Sequence, residues 1–356
     1  MIKSINGLRA VFALIIFLDH SYLSGKSIFL EGGNLSVTFF FIVSGFLLSY
    51  SYGDRIVNGA VTSDKFFIKR VAKVYPLHLI GFVLSLPLIF APKIYCNTLS
   101  VNDLCRGVNL LLLQSWVPDN EVFLSYNAVS WFLSDITFFY FLFPALAVLL
   151  LKKLTPKKTL AVFFLLLFVE VFLILPMPSQ YAQSLVYINP LFRLVDFVLG
   201  IVLYQVFALI SLKPNLYNSR IVSNMLEIIC VVLITTISIL VHDKGNLFYY
   251  SILFWIPIGL TILVFIYNEK TEQNGLIGKF MSTSFFQKMG EIIFSFYMLH
   301  WLVVHYLTKI GEETGLYGEG IALVVVSFVL SLIVSYCYNR FLERKLVKKL
   351  EDKILH

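Results

Sequence analysis

The chain has 356 residues, of which 58% are apolar and 14% are charged, and its mean hydropathy is +0.84. Too few polar residues remain to cover a water-soluble globule of this length, so composition excludes the soluble classes and indicates a polytopic all-α membrane protein. The net charge of +7 has to be interpreted through the loops that carry it, and we infer no nucleic-acid partner from it.

Apolar runs of membrane-spanning length predict about ten transmembrane helices and no soluble domain. The predicted spans are 7–23, 35–52, 74–91, 128–151, 159–176, 189–210, 221–241, 248–267, 290–308 and 320–339. Most of the 28 Lys and Arg residues fall at the N-terminus, in the even-numbered connections or after the last span. Cytoplasmic loops carry an excess of these residues, so both termini are predicted to be cytoplasmic. Residues 1–345 would form the membrane domain and 346–356 a short basic tail.

The first predicted helix carries two ionisable residues, Arg9 and His20, in one apolar run. Eleven residues of helix make close to three turns, so both side chains share one face, about 16 Å apart along the axis. A hydrocarbon environment penalises each such group by several kcal/mol, which favours a functional role for the pair. The alternative is structural, with Arg9 extending to the membrane interface and His20 satisfied in the core.

Two motifs follow, one in the second span and one at the start of the third. Ser44 lies in a Phe-rich run before Gly45, which favours close helix packing or the approach of a thin acyl or pantetheine chain. Lys69, Arg70 and Lys73 form a basic cluster on the cytoplasmic side. They are either positive-inside anchors or a phosphate clamp, since Arg offers a bidentate fork and Lys a mobile charge.

Further polar residues lie within later spans. Arg193 and Asp196 are three residues apart on one helix and can form an ion pair. His300 is either an acceptor-binding group or a core histidine bonded to a carbonyl, and Asp135 and Glu291 are further intramembrane acids.

Cys96 and Cys105 fall nine residues apart in one outward loop and would be able to form a disulfide in an oxidising compartment. No histidine accompanies them, so no metal site is predicted. Two other intramembrane acids, Glu170 and Glu227, are assigned no role.

The order of these motifs resembles the membrane-bound acyltransferase family 3, whose members O-acylate cell-surface glycans. The motifs that carry the resemblance are Arg9 with His20, Phe39–Phe46, Lys69-Arg70-x-x-Lys73-x-x-Pro76, Trp131–Ser134 with Phe139, Tyr140 and Pro144, Gly290–Trp301, and Phe341–Arg344. One departure concerns the tryptophan motif. Many members carry acids five and six positions after the tryptophan, where this chain has Ile136 and Thr137, and its nearest acid is Asp135.

The resemblance implies an O-acyltransferase, by default an O-acetyltransferase, in the bacterial inner membrane. It would move an acyl group from cytoplasmic acyl-CoA to a sugar hydroxyl of a surface polysaccharide or lipid-linked glycan, such as O-antigen of lipopolysaccharide, capsule or exopolysaccharide. Acetyl-CoA is then a donor substrate, and no permanently bound cofactor is expected. Membrane lipids are the other expected partners.

The resemblance also implies roles for individual residues. His20 would be the general base, Arg9 a positioning residue, and the basic cluster at 69–73 the acyl-CoA ligands. Asp135 and Glu291 are the candidates to orient His20. Arg193 is expected by default to pair with Asp196, and the alternative is that it binds the acceptor or stabilises an oxyanion.

Two other classes remain open on sequence grounds. A transporter or flippase for a glycan or lipid also places charges within a helical bundle. It would move its substrate without acyl transfer. A non-catalytic scaffold would be indifferent to loss of His20. The absence of paired broken helices in the two halves of the sequence favours the enzyme.

Overall fold

The structure is a computed structural model that describes residues 2–21, 32–89, 99–152, 155–211, 216–217, 219–241, 247–315 and 320–355. These residues form helices joined by turns, without a strand among them. The helices are α1 Lys3–Asp19, α2 Gly33–Leu48, α3 Asp54–Val57, α4 Ser63–Ile89, α5 Leu99–Leu110, α6 Asn120–Phe123, α7 Trp131–Leu151, α8 Pro156–Ile174, α9 Pro190–Ser211, α10 Arg220–Val241, α11 Trp255–Lys270, α12 Leu276–Met281, α13 Ser284–Thr314, α14 Ile321–Cys337 and α15 Arg344–Leu355.

The all-helical membrane character predicted from composition is confirmed. Within the described part of the chain, eight helical stretches are long and apolar enough to cross a membrane. A ninth results if Pro156–Ile174 and Ser179–Tyr187, which meet at a bend of 116°, form one broken span. Helix α1 is shorter, with 17 residues, or about 26 Å at the rise of an α-helix. Each of the ten predicted spans overlaps one of these helices.

Close backbone packing of α2 against α9 forms the centre of the bundle. A Cβ atom on Gly45 would lie 2.0 Å from the carbonyl oxygen of Phe197, and one on Gly200 would lie 2.0 Å from that of Ile42. Small residues allow such contact between helices in a membrane, where dispersion rather than water exclusion holds them together. Gly45 therefore serves helix packing, as the first of the two interpretations of this motif predicted.

We expect Gly45→Ala to lower the stability of the bundle by about 2 kcal/mol or more, because the added methyl group must push two backbones apart. Thermal unfolding of the purified protein in detergent measures the effect. Gly107→Ala is the matched control, since a Cβ there meets nothing within 4 Å. Equal unfolding temperatures for the two variants would contradict this account of the α2–α9 contact.

The N-terminal end of α1 is held by side chains from α11 and α13. No side chain of its own caps this end, and the carboxylate of Glu269 accepts hydrogen bonds from the backbone N–H groups of Lys3 and Ser4, at 2.8 and 2.7 Å. Gln287 donates to the carbonyl of Lys3 at 2.9 Å. A carboxylate also opposes the positive end of the helix dipole. These contacts fix the helix that carries Arg9.

Glu227, which the sequence left without a role, has a structural one. Its buried carboxylate accepts from the backbone N–H groups of Gly275 and Gly278, both at 2.9 Å, and from the amide of Asn268 at 3.0 Å. It thereby satisfies the orphan donors at the start of α12.

Of the predicted cysteine pair, Cys105 is buried on α5, whereas Cys96 lies outside the described residues.

Candidate active site

A cavity of about 580 Å³ lies between α1, α2, α4, α7 and α13. The positions of the lining residues along these helices show that the cavity has two different ends. One end holds the cationic and polar side chains Asn6, Arg9, Tyr50, Ser51, Arg70, Lys73 and Tyr140, and the other holds Ile16, Val37, Phe132, Leu133 and Tyr297. The cavity is therefore positively charged where α1 and α4 begin and apolar at its far end.

Aromatic rings hold Arg70 at the cationic end. Its guanidinium carbon lies 4.7 Å from the ring centre of Tyr52, 5.6 Å from that of Phe66 and 5.8 Å from that of Tyr140. A guanidinium stacked on ring faces keeps its N–H edges free for a planar or tetrahedral anion. Arg55 stacks on the same Tyr52 ring at 5.4 Å. The sequence pattern did not reveal this aromatic support.

The cations of the cavity form no direct ion pair among the described residues. No carboxylate there lies within ion-pairing distance of Arg9, Arg70 or Lys73, and Arg9 donates a hydrogen bond to the amide oxygen of Asn6 at 3.4 Å. Lys69 is exposed and does not line the cavity. Glu343 attracts Lys73 from beyond ion-pairing distance. The three cations that face the cavity still create a positive potential that an anionic ligand would neutralise.

Two histidines meet beyond the apolar end of the cavity. Nδ1 of His20, at the C-terminus of α1, lies 2.9 Å from Nε2 of His300 on α13. Nδ1 of His300 lies 3.1 Å from the carbonyl oxygen of Phe296. His300 is fully buried, whereas His20 is exposed. The pair thus joins a buried ring to an accessible one.

The cavity stops about one helical turn short of this pair. Ile16 precedes His20 by one turn of α1 and lines the cavity, as does Tyr297, which precedes His300 by about one turn of α13. Phe132 packs edge-on to Tyr297, with ring centres 5.4 Å apart. A wall of apolar and aromatic side chains therefore separates the cationic chamber from the histidine pair.

The remaining candidates divide between the cavity and the core. Ser44 lines the cavity, but its hydroxyl donates to the carbonyl of Phe40 in its own helix at 2.6 Å. Arg193 and Asp196 form a fully buried ion pair with an N–O distance of 3.0 Å. Arg193 also donates to Thr38 Oγ1 at 2.9 Å, so this pair braces α9 against α2.

Neither acid considered as a partner of His20 contacts it. Asp135 is fully buried on α7, and both of its oxygens lack a hydrogen-bond partner within the described structure. Glu291 is exposed on α13, where its backbone carbonyl accepts from Asn339. The group that touches the ring of His20 is another imidazole, His300. Sequence reasoning singled out both histidines but had no local signal to join two residues 280 positions apart.

Comparisons with known proteins identify the family of the chain. The family model of the acyltransferase 3 family, described as an acyltransferase domain, matches residues 2–340. The chain is similar to O-acetyltransferase OatA of Staphylococcus aureus, with 22% identity over 98% of this chain and 57% of the relative. Acyltransferase MdmB of Streptomyces mycarofaciens is 33% identical over 40% of this chain and 38% of the relative.

The chain spans less than two thirds of the length of either relative. No solved structure matches it. Because the family model covers nearly the whole sequence, the chain belongs to the acyltransferase 3 family.

Proposed function

We propose that this protein is an O-acyltransferase of the bacterial inner membrane that moves an acyl group, by default acetyl, from cytoplasmic acyl-CoA to a sugar hydroxyl. The observation that carries the proposal is a single cavity with three unpaired cations at one end and a histidine pair just beyond the other. The similarity to OatA, which is an O-acetyltransferase, supports the oxygen acceptor and the acetyl group.

The donor enters from the cationic end in this proposal. Coenzyme A carries several phosphate charges on a thin pantetheine arm. Arg9, Arg70 and Lys73 offer the charge and the bidentate geometry that phosphates require. The apolar lining beyond them suits the arm and the acyl group. The arm then runs along α1 from Arg9 towards His20, a distance of about 16 Å.

The proposed orientation places this cationic end in the cytoplasm. Most Lys and Arg residues of the loops lie on the same side as the N-terminus of α1, so ten spans with both termini inside follow the positive-inside rule. Residues 1–345 form the membrane domain in this scheme. The basic tail at 346–356 belongs largely to helix α15, Arg344–Leu355, and in this proposal it rests on the cytoplasmic face.

The reaction proposed at the histidine pair is direct acyl transfer. His20 takes the proton of the acceptor hydroxyl as its oxygen attacks the thioester carbonyl carbon. The carbon–sulfur bond then breaks, and the proton passes from His20 to the thiolate, which leaves as coenzyme A. For the thioester to reach His20, the side chains of Ile16, Phe132 and Tyr297 must move aside, because they close the cavity before the histidine pair.

The acceptor proposed is a lipid-linked or growing surface glycan. A test is to compare surface glycan by mass spectrometry from cells with and without the protein, and to follow transfer of labelled acetyl from acetyl-CoA in proteoliposomes. We expect the protein to add one acetyl mass per modified sugar. If cells without the protein export less glycan, but that glycan carries the same acylation as in cells with the protein, the result would support a transporter or flippase and contradict the proposal.

A further inference from the structure

We propose that His300 is a positioning residue that holds His20 in the tautomer with a bare Nε2, so that Nε2 is the atom that accepts the substrate proton. This inference rests on the proposed function, since it assigns the atom that performs the base step. It replaces the acid expected for this role with a second imidazole.

The hydrogen-bond chain that starts at a carbonyl determines both tautomers. The carbonyl oxygen of Phe296 can only accept, so Nδ1 of His300, 3.1 Å away, must carry the proton of that bond. A neutral imidazole has one N–H group, so Nε2 of His300 is then bare. At 2.9 Å it faces Nδ1 of His20, which must therefore donate. Nε2 of His20 is left with a free lone pair.

Packing explains why His300 orients the ring of His20 and not the reverse. The ring of His300 is fully buried, and the rings of Phe17, Phe296 and Tyr297 lie 6.2, 5.9 and 5.9 Å from it, centre to centre. Such surroundings prevent the ring from turning. The His20 ring meets His300 through this hydrogen bond and by stacking, with ring centres 5.2 Å apart. The fixed acceptor therefore orients the accessible base.

The arrangement also serves the step itself. When Nε2 of His20 takes the hydroxyl proton, the ring becomes a cation whose Nδ1–H still donates to His300, at 2.9 Å. A hydrogen bond to a charged donor is about twice as strong as one to a neutral donor. The bond thus strengthens as the new oxygen–carbon bond forms, and it weakens again when the proton moves to the departing thiolate.

The test compares two replacements of His300. His300→Phe keeps a ring among the same neighbours but removes the acceptor, whereas His300→Gln places an amide oxygen near the former Nε2. Each purified variant is placed in proteoliposomes with lipid-linked glycan extracted from cells that make the protein. Acetyl-CoA is then added, and the rate at which free coenzyme A thiol appears gives kcat and KM. We expect His300→Phe to lower kcat between about 10- and 100-fold with KM for acetyl-CoA unchanged. His300→Gln should recover most of that loss.

The matched control is His305→Phe. His305 lies on the same helix and bonds the carbonyl of Trp301, four residues earlier, at 2.9 Å, but no hydrogen bond joins it to His20. We expect its kcat to equal that of the unmodified protein. A His300→Phe variant with unchanged kcat would overturn the proposal, as would a folded His300→Gln variant that is no more active than His300→Phe.

A second measurement does not depend on activity or on the folding of a variant at position 300. Nitrogen-15 magnetic resonance of histidine-labelled protein in lipid, with the His20 signals assigned by comparison with His20→Asn, reports which ring nitrogen carries hydrogen. We expect hydrogen on Nδ1 of His20, and hydrogen on Nε2 would overturn the inference. Full activity of His20→Asn would contradict the proposed function instead, as would the absence of turnover in the unmodified protein.

Discussion

Replacement of His20 with alanine is expected to lower acyl transfer by about 100- to 10,000-fold, the usual contribution of a general base. That loss corresponds to about 3 to 5 kcal/mol of activation free energy. The KM for acyl-CoA should change little, because His20 does not line the cavity that would hold the coenzyme. A fall in kcat without a rise in KM is the signature of an interaction made in the transition state.

The measurement is the rate of labelled acetyl transfer from acetyl-CoA to membrane glycan, at equal protein level in the membrane. His305→Ala is the control. It removes an imidazole from α13, the helix that also carries His300, but leaves the hydrogen bond between His20 and His300 intact. His20 lies at the end of α1, and the hydrogen bonds of Glu269 and Gln287 that hold this helix are at its other end. The bundle should therefore fold in both variants. If His20→Ala keeps its activity, His20 is not the general base.

The spans were predictable because hydropathy is a local property of the sequence. Runs of apolar residues at 35–52 and 189–210 need no knowledge of their neighbours to indicate helices. The bend of 116° after Ile174 differs from the single unbroken span that hydropathy predicts at 159–176. Pro176 and Pro178 lie at the bend and were the signal that could have indicated it.

Some residues that line the cavity were predictable from the sequence, whereas their contacts were not. Arg9, Arg70 and Lys73 were selected by charge in an apolar context, and they do line one cavity; their roles stay predictions. The partner of His20 depends on how α1 packs against α13, which no local pattern specifies. Family resemblance drew attention to an acid after the tryptophan motif, whereas the ring bonds a histidine.

The same limit applies to Arg70. A basic motif before a span indicates either an anchor or a phosphate ligand. The distinction comes from Tyr52 and Tyr140, which reach the guanidinium from two other segments of the chain. Tertiary packing therefore separates Arg70, which faces the cavity, from Lys69, which is one residue away and exposed.

Arg70→Gln is expected to raise the KM for acyl-CoA by about 10- to 100-fold while kcat at saturation stays within a few-fold of the original value. Loss of a hydrogen bond to a charged group contributes about 1.5 to 3 kcal/mol, which corresponds to this range. Arg70→Lys should recover only part of the loss, because an ammonium group lacks the planar fork and stacks less well on Tyr52, 4.7 Å away in the native protein.

Lys157→Gln is the matched control, because it removes one positive charge from an exposed position that does not line the cavity. Its effect on KM should be small and should disappear in salt, since exposed charges are screened over about 10 Å at 0.1 M. The effect of Arg70→Gln should persist, because its guanidinium lies within a cavity and against aromatic rings. Lys69→Gln is a second control, since Lys69 is also exposed and does not line the cavity, although it is adjacent to Arg70 in the sequence. If Arg70→Gln and Lys157→Gln raise KM equally, coenzyme binding depends on the overall positive charge of the cytoplasmic face and not on the cavity.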